Sequence, residues 1–574
     1  MYQKTKLSLS IVAALSMGFS VVAQANNVKD KGTATNVAFN QKFEPTEYSL
    51  KDKPNIILIS VDDLGYGQLD YDEKAFDKAV LEKQEVPERY QVALDKAIEA
   101  AKMSTPTLRN LQDNGVKLSQ GFVAHGVSGP SRAAMMTSRF PARYGIYSND
   151  DAQDGISTEE TFLAEILQDH GYETAAIGKW HLCRITNVPV PAEKQTRDYH
   201  DNFTTYCDEP FQPQKRGFGY FFGFHASGAS YYNSPSLFKN RERAEAKGYI
   251  TDQFTNEAIE VLKKAGDNPA FIYLAYNAPH IPLEAPAPKE YQIFNTGNSE
   301  VDNYYASVYA VDQGVKRIME ELKKQGKDKN TLIFFTSDNG AVIDSPMPMN
   351  GQFKGFKGET QHGGVHTPMF VSWPAKLGSQ EYTQMVSATD FMPTALAAAG
   401  IPIPADLAKK LDGKNLLPYL TGEEKGEPHP YLFWAQPRAF HWDTVNIPFW
   451  HNYYKYVTGK SDDYPKNPYM EKKSKFTWTV RDKDWTLHYY VDLVRDKNGK
   501  VKLTEDGELP IFEREGKVAL YKNGDLMETK ELSKENPKVV KMLKAKMNEY
   551  LTSAKLPNTE NNVPKYQNLL NATK

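Results

Sequence analysis

Residues 55–63, NIILISVDD, form an unbroken apolar run that ends in two aspartates. Continuous apolar runs of this length are typical of strands that are buried on both faces. Similar runs recur further along the chain: VKLSQGFV (116–123), YETAAIG (172–178), AFIYLAY (270–276), TLIFFTS (331–337) and PMFVSW (368–373). Helix-like segments, such as residues 159–170 and 303–325, lie between several of them. The alternation predicts an α/β domain with a largely parallel sheet covered by helices.

Polar side chains follow five of these runs, at the point where each predicted strand ends. They are Asp62, Asp63, His125, Ser128, Lys179, His181, His280, Asp338 and Asn339. In open α/β sheets, sites form just beyond the carboxyl ends of the strands. The sequence therefore predicts one site that collects all of these side chains at one edge of the sheet.

The residue types at this edge indicate a metal and an anion. Asp62, Asp63, Asp338 and Asn339 offer oxygen ligands, and an all-oxygen set favours Ca²⁺, or less strongly Mg²⁺, over zinc or copper. Cationic and proton-transferring side chains accompany them: Arg132, Lys179, His181, His280 and Lys357. Beside a divalent cation, such groups are typical of a pocket for a compact anion.

The remainder of the chain divides by composition. Residues 1–25 read as a signal peptide, with Lys4 and Lys6, an apolar run over 7–22 and a small-residue cleavage site at 23–25. Residues 26–53 are a polar extension, 54–427 the catalytic domain, and 428–574 a smaller α+β domain with an antiparallel sheet and a last helix over 536–553. We expect an exported protein, periplasmic or secreted, with no membrane span once the signal is removed. The sequence leaves the oligomeric state open.

Charge and cysteine content limit the classes of partner and the states of the two cysteines that the sequence allows. The chain of 574 residues has 69 basic and 72 acidic side chains, a net charge of -3 that gives no general attraction to nucleic acid. Its two cysteines, Cys183 and Cys207, fit either a single disulfide in an oxidising compartment or two reduced thiols. The charged helical stretch 71–103 fits either a lid or a solvated face.

Ser128 lies in the frame HGVSGPSRAAMMTSR (125–139), and a plain serine is a poor nucleophile without a nearby base. With this frame, the chain resembles the formylglycine-dependent sulfatases, which are arylsulfatase-like enzymes with an alkaline-phosphatase-like fold. The motifs that carry the resemblance are VDDLGYG (61–67), SGPSRAAMMTSR (128–139), GKWHL (178–182), APHIP (278–282), TSDNG (336–340) and KGETQHGGVHTP (357–368).

The resemblance implies a role for each matching residue. It implies that a maturase acting on residues 128–132 oxidises Ser128 to formylglycine, whose hydrated diol attacks sulfur. It implies that Asp62, Asp63, Asp338 and Asn339 bind Ca²⁺. It further implies that Arg132 holds the diol and that Lys179 and Lys357 clamp the sulfate. His280 is expected to protonate the leaving alcohol, and His181 to help deprotonate the second hydroxyl.

The chain departs from the family pattern after Lys357. The family usually has an aromatic residue, Glu-Gly-Gly and an arginine, where this chain has Gln361, His362 and His366. We therefore expect substrate contacts from His366, from His225 and from the inserted stretch 71–103.

Alternatives to an active sulfatase remain open from the sequence. A phosphatase or phosphonate hydrolase of the same superfamily would need a two-zinc site rich in Asp and His. A sulfated-glycan-binding protein without activity would result if Ser128 is never oxidised, either natively or because it replaces a cysteine. Export and an aromatic-rich C-terminal part favour a sulfated polysaccharide over a small aryl sulfate as substrate. The chain resembles most the sulfatases of marine bacteria that act on algal galactans such as carrageenan, which implies a substrate of that type, with glycosaminoglycans as the alternative.

Overall fold

The computed structural model describes residues 52–555, apart from 198, 227–229, 282, 284, 438–451, 453–454, 457–458, 464–475, 492–495, 498–501 and 503–516. The predicted signal peptide, and all but the last two residues of the predicted N-terminal extension, lie outside the described residues. Export therefore stays a prediction.

The strands, in chain order, are β1 (Asn55–Val61), β2 (Val116–Leu118), β3 (Gly121–Phe122), β4 (Glu173–Lys179), β5 (Ile185–Pro189), β6 (Phe203–Cys207), β7 (Tyr220–Phe224), β8 (Leu237–Lys239), β9 (Glu242–Arg243), β10 (Ala270–Ala275), β11 (Thr331–Ser337), β12 (Met369–Ser372), β13 (Gln380–Tyr382), β14 (Val386–Ser387), β15 (Leu432–Pro437), β16 (Phe476–Arg481), β17 (Trp485–Val491) and β18 (Lys517–Lys522).

The α-helices are α1 (Lys78–Leu81), α2 (Leu94–Met103), α3 (Pro106–Asp113), α4 (Ser128–Thr137), α5 (Asn149–Gln153), α6 (Leu163–Asp169), α7 (Ile250–Ala265), α8 (Ser299–Lys324), α9 (His362–Val365), α10 (Phe391–Ala398), α11 (Ala405–Ala408), α12 (Leu417–Leu420) and α13 (Pro537–Leu551). Within the part of the chain that the structure describes, none of the helices is both long and apolar enough to span a bilayer.

The large sheet has the strand order β13-β2-β12-β11-β1-β10-β4-β7-β8-β9. Its central strands β11, β1, β10, β4 and β7 are parallel to one another. Side chains of β1 alternate between two separate hydrophobic clusters, with Ile56 and Leu58 in one and Ile57 and Ile59 in the other. Because helices cover both faces, the strand has no polar side, and the predicted helix-covered, largely parallel sheet is confirmed.

Two of the predicted strands behave differently from the rest. The run at 116–123 is interrupted by a turn at Ser119 and Gln120, so that β2 joins the large sheet between β12 and β13 while β3 pairs with β14. The run at 368–373 forms β12, which is antiparallel to both of its neighbours. Strand direction depends on the path of the connecting chain, which the local apolar pattern does not encode.

The C-terminal part forms the predicted antiparallel sheet, in the order β15-β16-β17-β18, followed by α13. Trp434, Trp478 and Tyr550 of this part share one hydrophobic cluster with Phe122 and Tyr147 of the large unit. The indole N–H of Trp434 also donates to the carbonyl oxygen of Val123 at 2.8 Å. The small sheet is thus packed directly against the unit that carries the strand-end residues.

The inserted stretch 71–103 docks on the loop that follows Asn339. Arg89 makes a two-pronged ion pair with the buried Asp344, at 3.1 and 2.8 Å. The amide of Gln84 donates to the carbonyl oxygen of Gly351 at 2.7 Å. The insertion therefore braces the chain downstream of β11.

Candidate active site

The side chains that follow β1 and β11 meet at one edge of the large sheet, as predicted. Asp62 and Asp63 follow β1, and Asp338 and Asn339 follow β11, its direct neighbour. The N–H of Asp62 donates to the carbonyl oxygen of Ala278 at 3.1 Å, which ties in the segment after β10. The four side chains are between 0% and 3% exposed. Strand order thus brings together residues that are far apart in sequence.

Ser128 is the first residue of α4, and its side chain reaches into the cluster. Its Oγ lies 3.3 Å from Asp62 Oδ1, 3.3 Å from Asn339 Oδ1 and 3.4 Å from Lys179 Nζ. None of these partners is a histidine that could take the hydroxyl proton in the way of a hydrolase triad. The serine therefore sits at the centre of the cluster without an activating imidazole.

Three buried cations balance the three carboxylates. Lys179 Nζ lies 2.6 Å from Asp62 Oδ2, and Lys357 Nζ lies 2.7 Å from Asp63 Oδ2. The Arg132 guanidinium donates to Asp338 Oδ2 from Nε and Nη2, at 3.0 and 2.8 Å. Buried charges persist in proteins when they are paired and hydrogen-bonded in this way.

These pairings keep the aspartates ionised. Burial raises the pKa of Asp62, but Lys179, His280 and Arg132 more than offset it, so the pKa lies below its usual value. Burial likewise raises the pKa of Asp63, and Lys357 and His280 bring it below the usual range. Ionised carboxylates are the form that a cation requires.

The donor set fits a hard divalent cation. Oxygens of Asp62 and Asp63 and a ring nitrogen of His280 lie within 4.8 Å of one another. Asp338 accepts from the N–H of Asp63 at 3.2 Å, and the amide of Asn339 donates to Asp63 at 2.8 Å, so both belong to the same centre. Because Ca²⁺ prefers oxygen ligands, the four oxygen-bearing side chains fit this ion better than the imidazole does.

His280 lies at the open side of the cluster. Its side chain is 25% exposed, whereas those of Asp62 and Arg132 are at most 1% exposed. Its Nε2 lies 3.4 Å from both Asp63 Oδ2 and Lys357 Nζ. Burial holds the pKa of His280 below its usual value, although the Asp63 carboxylate acts in the opposite direction. His280 is thus more open to solvent than the charged side chains that it contacts.

His181 lies deeper, on the segment that leaves β4. Its backbone is left-handed, with φ at 61°, and its N–H donates to the carbonyl oxygen of His225 at 3.1 Å. Its ring Nε2 lies 3.0 Å from the amide nitrogen of Gln153. Burial, and then the charges of Lys179 and Arg132, hold the pKa of His181 well below its usual value. These surroundings therefore favour the neutral ring.

The segment after His181 is fixed by a disulfide. Cys183 and Cys207 are joined, with their Cα atoms 5.4 Å apart, which selects the first of the two possibilities that the sequence left open. The bridge closes the base of the β5–β6 hairpin, where Ile185 pairs with Cys207.

His225 and His366 are not placed at the surface of the site. His225 is 3% exposed and packs between Phe221 and Phe238, with ring centroids 5.1 and 4.4 Å away. His366 is 1% exposed and stacks on Phe353 at 4.3 Å. Burial lowers the pKa of His225 to about 4 and that of His366 to about 3. Either ring would have to be uncovered before it could meet a substrate, so their predicted role as contacts stays a prediction.

Sequence reasoning missed three side chains that touch the site residues. Gln153 contacts His181, Asn149 accepts from the N–H of Gly129 at 2.8 Å, and Tyr273 OH lies 3.3 Å from Arg132 Nη1. Tyr273 lies within β10. The alternation of side chains along this strand could have indicated which face of the sheet Tyr273 occupies. Gln153 and Asn149 follow no strand and carry no motif.

The chain matches known proteins over most of its length. A family model described as Sulfatase matches residues 54–401. A protein of Escherichia coli (strain K12), the "Uncharacterized sulfatase YdeN", is 54% identical over 98% of this chain and 97% of its own. The human N-acetylgalactosamine-6-sulfatase is 28% identical over 64% of this chain and 66% of its own.

A solved structure extends the similarity beyond the family domain. The crystal structure of Ps i-CgsB in complex with k-i-k-neocarrahexaose is 26% identical, with a TM-score of 0.63, and the match covers 88% of this chain and 94% of that one. The matching residues 54–401 include every residue assigned here to the charged cluster. This chain belongs to the sulfatase family and is a sulfuric ester hydrolase.

Proposed function

We propose that this sulfatase removes sulfate from a sulfated polysaccharide or oligosaccharide of the marine algal galactan type, such as carrageenan. The support is the similarity to Ps i-CgsB, which was crystallised with a neocarrahexaose and matches 88% of this chain at 26% identity. The exported character expected from residues 1–25 also suits a polymeric substrate outside the cell. The alternative substrate class is the glycosaminoglycans, since an N-acetylgalactosamine-6-sulfatase is 28% identical.

The observation that carries the chemistry is the surroundings of Ser128. Its Oγ has carboxylate and amide oxygens and a lysine as neighbours, at 3.3–3.4 Å, and no imidazole. An unmodified serine would have no imidazole to activate it here, and the sulfate ester that it formed would have no second hydroxyl to expel the sulfate. We therefore propose that residue 128 works as formylglycine, hydrated to a geminal diol that brings its own second hydroxyl.

The reaction then follows from the positions of the protein's own side chains. One diol oxygen gives its proton to the neighbouring Asp62 carboxylate and forms a bond to sulfur, while the bond from sulfur to the sugar oxygen breaks. His280, at the exposed edge, gives its proton to that leaving oxygen, because a sugar alkoxide is a poor leaving group. The negative charge of the bound sulfate favours the protonated form of His280. Lys179 and Lys357 bind the sulfate oxygens.

The second half returns the enzyme to its starting state. His181 takes the proton of the remaining hydroxyl, the carbonyl double bond forms, and the carbon–oxygen bond to sulfate breaks. Sulfate leaves with the electron pair, and water adds to the aldehyde to restore the diol. An ordinary serine ester cannot take this route, because it has no second hydroxyl.

Asp62, Asp63, Asp338 and Asn339 would hold Ca²⁺, with Mg²⁺ as the less favoured ion. When bound, the ion adds positive charge where the sulfate oxygens gain negative charge. Among the described residues, one group of Asp, Glu, His and Cys side chains has metal-binding spacing, and it includes two of these ligands. This single group does not favour the two-zinc phosphatase alternative.

Maturation must precede folding in this account. Ser128, Ser131 and Arg132 are 0% exposed, so a maturase cannot reach the 128–132 segment in the folded chain. If the maturase never acts, the same buried cations support the second candidate, a sulfated-glycan-binding protein without activity.

A substrate screen tests the proposal. Protein in which residue 128 is verified by peptide mass as formylglycine is assayed for sulfate release from carrageenans, agars, ulvan, fucoidan and chondroitin sulfate. Ser128→Ala serves as the control. We expect release from a carrageenan and none from the control. Release from chondroitin sulfate alone, or from none of the algal polymers, contradicts the proposed substrate class.

A further inference from the structure

The turn from Asn277 to His280 carries the proposed proton donor away from the end of β10. The N–H of His280 donates to the carbonyl oxygen of Asn277 at 3.0 Å, which closes the turn. Within the turn, the carbonyl oxygen of Ala278 accepts from the N–H of Asp62 at 3.1 Å. One side of the turn is therefore fixed to the segment that follows β1 and carries two of the buried carboxylates.

Tyr231 holds the same turn through its hydroxyl group. It lies in the connection between β7 and β8. Its hydroxyl oxygen lies 2.9 Å from the carbonyl oxygen of His280 and 3.2 Å from that of Asn277. Because a carbonyl oxygen can only accept, the O–H of Tyr231 is shared between the first and the last residue of the turn.

The side chain of Tyr231 is itself fixed in place. The residue is 1% exposed, and its ring stacks on that of Tyr249 with the centroids 5.6 Å apart. Its carbonyl oxygen accepts from the N–H of Ile250, the first residue of α7, at 3.0 Å. The hydroxyl therefore reaches the turn from a buried ring whose backbone is tied to a helix of the main unit.

The ring of His280 is oriented by the backbone that follows it. Its Nδ1 lies 2.5 Å from the carbonyl oxygen of Ile281, and since this oxygen only accepts, Nδ1 carries an N–H. This leaves Nε2 to face the cluster, 3.4 Å from both Asp63 Oδ2 and Lys357 Nζ. The position of the nitrogen that faces the site thus depends on where the backbone of residues 280 and 281 is held.

We propose that Tyr231 is a positioning residue for His280. By holding the carbonyl oxygen of His280, its hydroxyl keeps Nε2 beside the leaving sugar oxygen, so that the proton passes from Nε2 to that oxygen as its bond to sulfur breaks. The inference rests on the proposed function, in which His280 is the proton donor. A displacement of about 1 Å between reacting groups can lower a rate by about 100-fold, so a single bond to the backbone has a measurable effect.

The variant Tyr231→Phe removes the hydroxyl and keeps the ring. With protein verified to carry formylglycine, we expect kcat on carrageenan oligosaccharides to fall by about tenfold or more, because a sugar alcohol needs a well-placed proton donor. On para-nitrophenyl sulfate, whose phenol leaves without a proton, kcat should fall by less than about threefold. Equal losses on the two substrates overturn the proposal, since a general disturbance of the site does not distinguish leaving groups.

The loss on the oligosaccharides should depend on His280. In a His280→Gln background, Tyr231→Phe should lower kcat by less than about twofold, because the group that Tyr231 positions is already gone. A loss by the same factor in both backgrounds shows that Tyr231 does not act through His280, and it overturns the proposal.

The matched control is Tyr172→Phe. Tyr172 is also buried, at 4% exposed, and its hydroxyl donates to the carbonyl oxygen of Pro54 at 3.1 Å. Pro54 precedes β1, at the opposite end of this strand from Asp62. Tyr172→Phe should leave kcat on both substrates unchanged. A difference between the two substrates as large as that of Tyr231→Phe would overturn the proposal, because loss of a distant tyrosine hydroxyl would then have the same effect.

Hydrogen exchange followed by mass spectrometry tests the contact without activity. The N–H of His280 should exchange about three- to tenfold faster in Tyr231→Phe than in the wild type or Tyr172→Phe, as expected for the loss of one hydrogen bond at the turn. Peptides from β11 should exchange at the wild-type rate, which shows that the variant is folded. Unchanged exchange at His280 overturns the role of Tyr231. If the formylglycine-bearing wild type hydrolyses neither substrate, the proposed function fails, while hydrogen exchange still decides whether Tyr231 holds the turn.

Discussion

His280 is the one proposed catalytic side chain with substantial exposure among those the structure describes, with a quarter of its side chain open to solvent. The carboxylates and cations behind it are almost completely buried. In the proposed function, a sulfate group enters the cluster while the sugar that carries it stays outside, next to this ring. The position of His280 therefore matches a proton donor to the leaving alcohol.

We expect His280→Gln to affect substrates according to their leaving group. A sugar alcohol needs a proton as it leaves, so kcat should fall by about 100-fold or more. An acidic phenol leaves without a proton, so kcat for an aryl sulfate should fall by less than about tenfold. Steady-state kinetics of one variant on both substrates measure the two losses. Equal losses would show that His280 does not act on the leaving oxygen.

At the scale of single residues, the sequence predicted the side chains that follow strands and missed those that do not. Asp62 and Lys179 were predictable because each directly follows an apolar run. Gln153 was not predictable, because it follows no strand and contacts His181 only through the position of α5. His225 and His366 were selected by position, and the structure buries both among aromatic rings.

Gly314, at the scale of helices and strands, lets α7 and α8 approach closely. A Cβ added there would lie 2.4 Å from Thr255 Oγ1 and 2.8 Å from Tyr276 OH. These two hydroxyls are hydrogen-bonded to each other at 2.7 Å in the buried interface. The absence of a side chain at Gly314 therefore sets the distance between α8 and α7.

We expect Gly314→Ala to destabilise the protein in spite of a better helix propensity. Alanine gains about 1 kcal/mol over glycine in a helix, whereas overpacking a buried contact costs about 1–3 kcal/mol. The net change should be a lower Tm, measured by calorimetry. Gly378→Ala is the control, because a Cβ there meets nothing within 4 Å. A Tm at or above the wild-type value in Gly314→Ala would refute this account of the packing.

Apolar patterns predicted the existence of strands better than their direction. The runs that form β1, β10 and β11 became central parallel strands, as expected. The run at 368–373 became an antiparallel strand because the chain returns to the sheet from the site edge after the Lys357 loop. The direction of β12 depends on the tertiary path of the chain and is not encoded in the apolar run itself.

At the scale of the whole molecule, the C-terminal sheet fixes the loop that carries Lys357. Thr479 Oγ1 donates to Thr360 Oγ1 at 2.7 Å, and Arg481 Nη1 lies 2.7 Å from His362 Nε2. These contacts come within five residues of Lys357 in the chain. The small sheet is therefore part of the support of the active site and not a detached module.

Glu528 anchors the same contact through a buried pair with His488. Glu528 Oε1 lies 2.9 Å from His488 Nε2, and Glu528 Oε2 accepts from Gln361 at 3.2 Å. Burial raises the pKa of Glu528, but His488 and Arg481 more than offset this effect and hold the pKa below its usual value of about 4.5. On acidification the unfolded chain therefore binds this proton first. The stabilisation is present above about pH 4.5 and is lost as the pH falls through the lower folded-state pKa.

We expect Glu528→Gln to lower the free energy of unfolding by about 3 kcal/mol near neutral pH, since it removes one partner of a buried pair. The difference from the wild type should narrow below about pH 4.5, where the wild type loses the same interaction. Thermal unfolding at neutral and acidic pH measures both effects, with the exposed Glu245→Gln as control. A difference that stays constant or widens at acidic pH would contradict the pairing.

We expect residue 128 to be active only after its conversion to formylglycine. Protein with graded conversion is prepared by varying co-expression of a formylglycine-generating maturase. Peptide mass measures the fraction that has lost two hydrogens at residue 128, and sulfate release is measured on the same samples. Turnover should be proportional to the converted fraction and absent at zero conversion. Sulfate release by a chain whose residue 128 is entirely unmodified serine would show that formylglycine is not required.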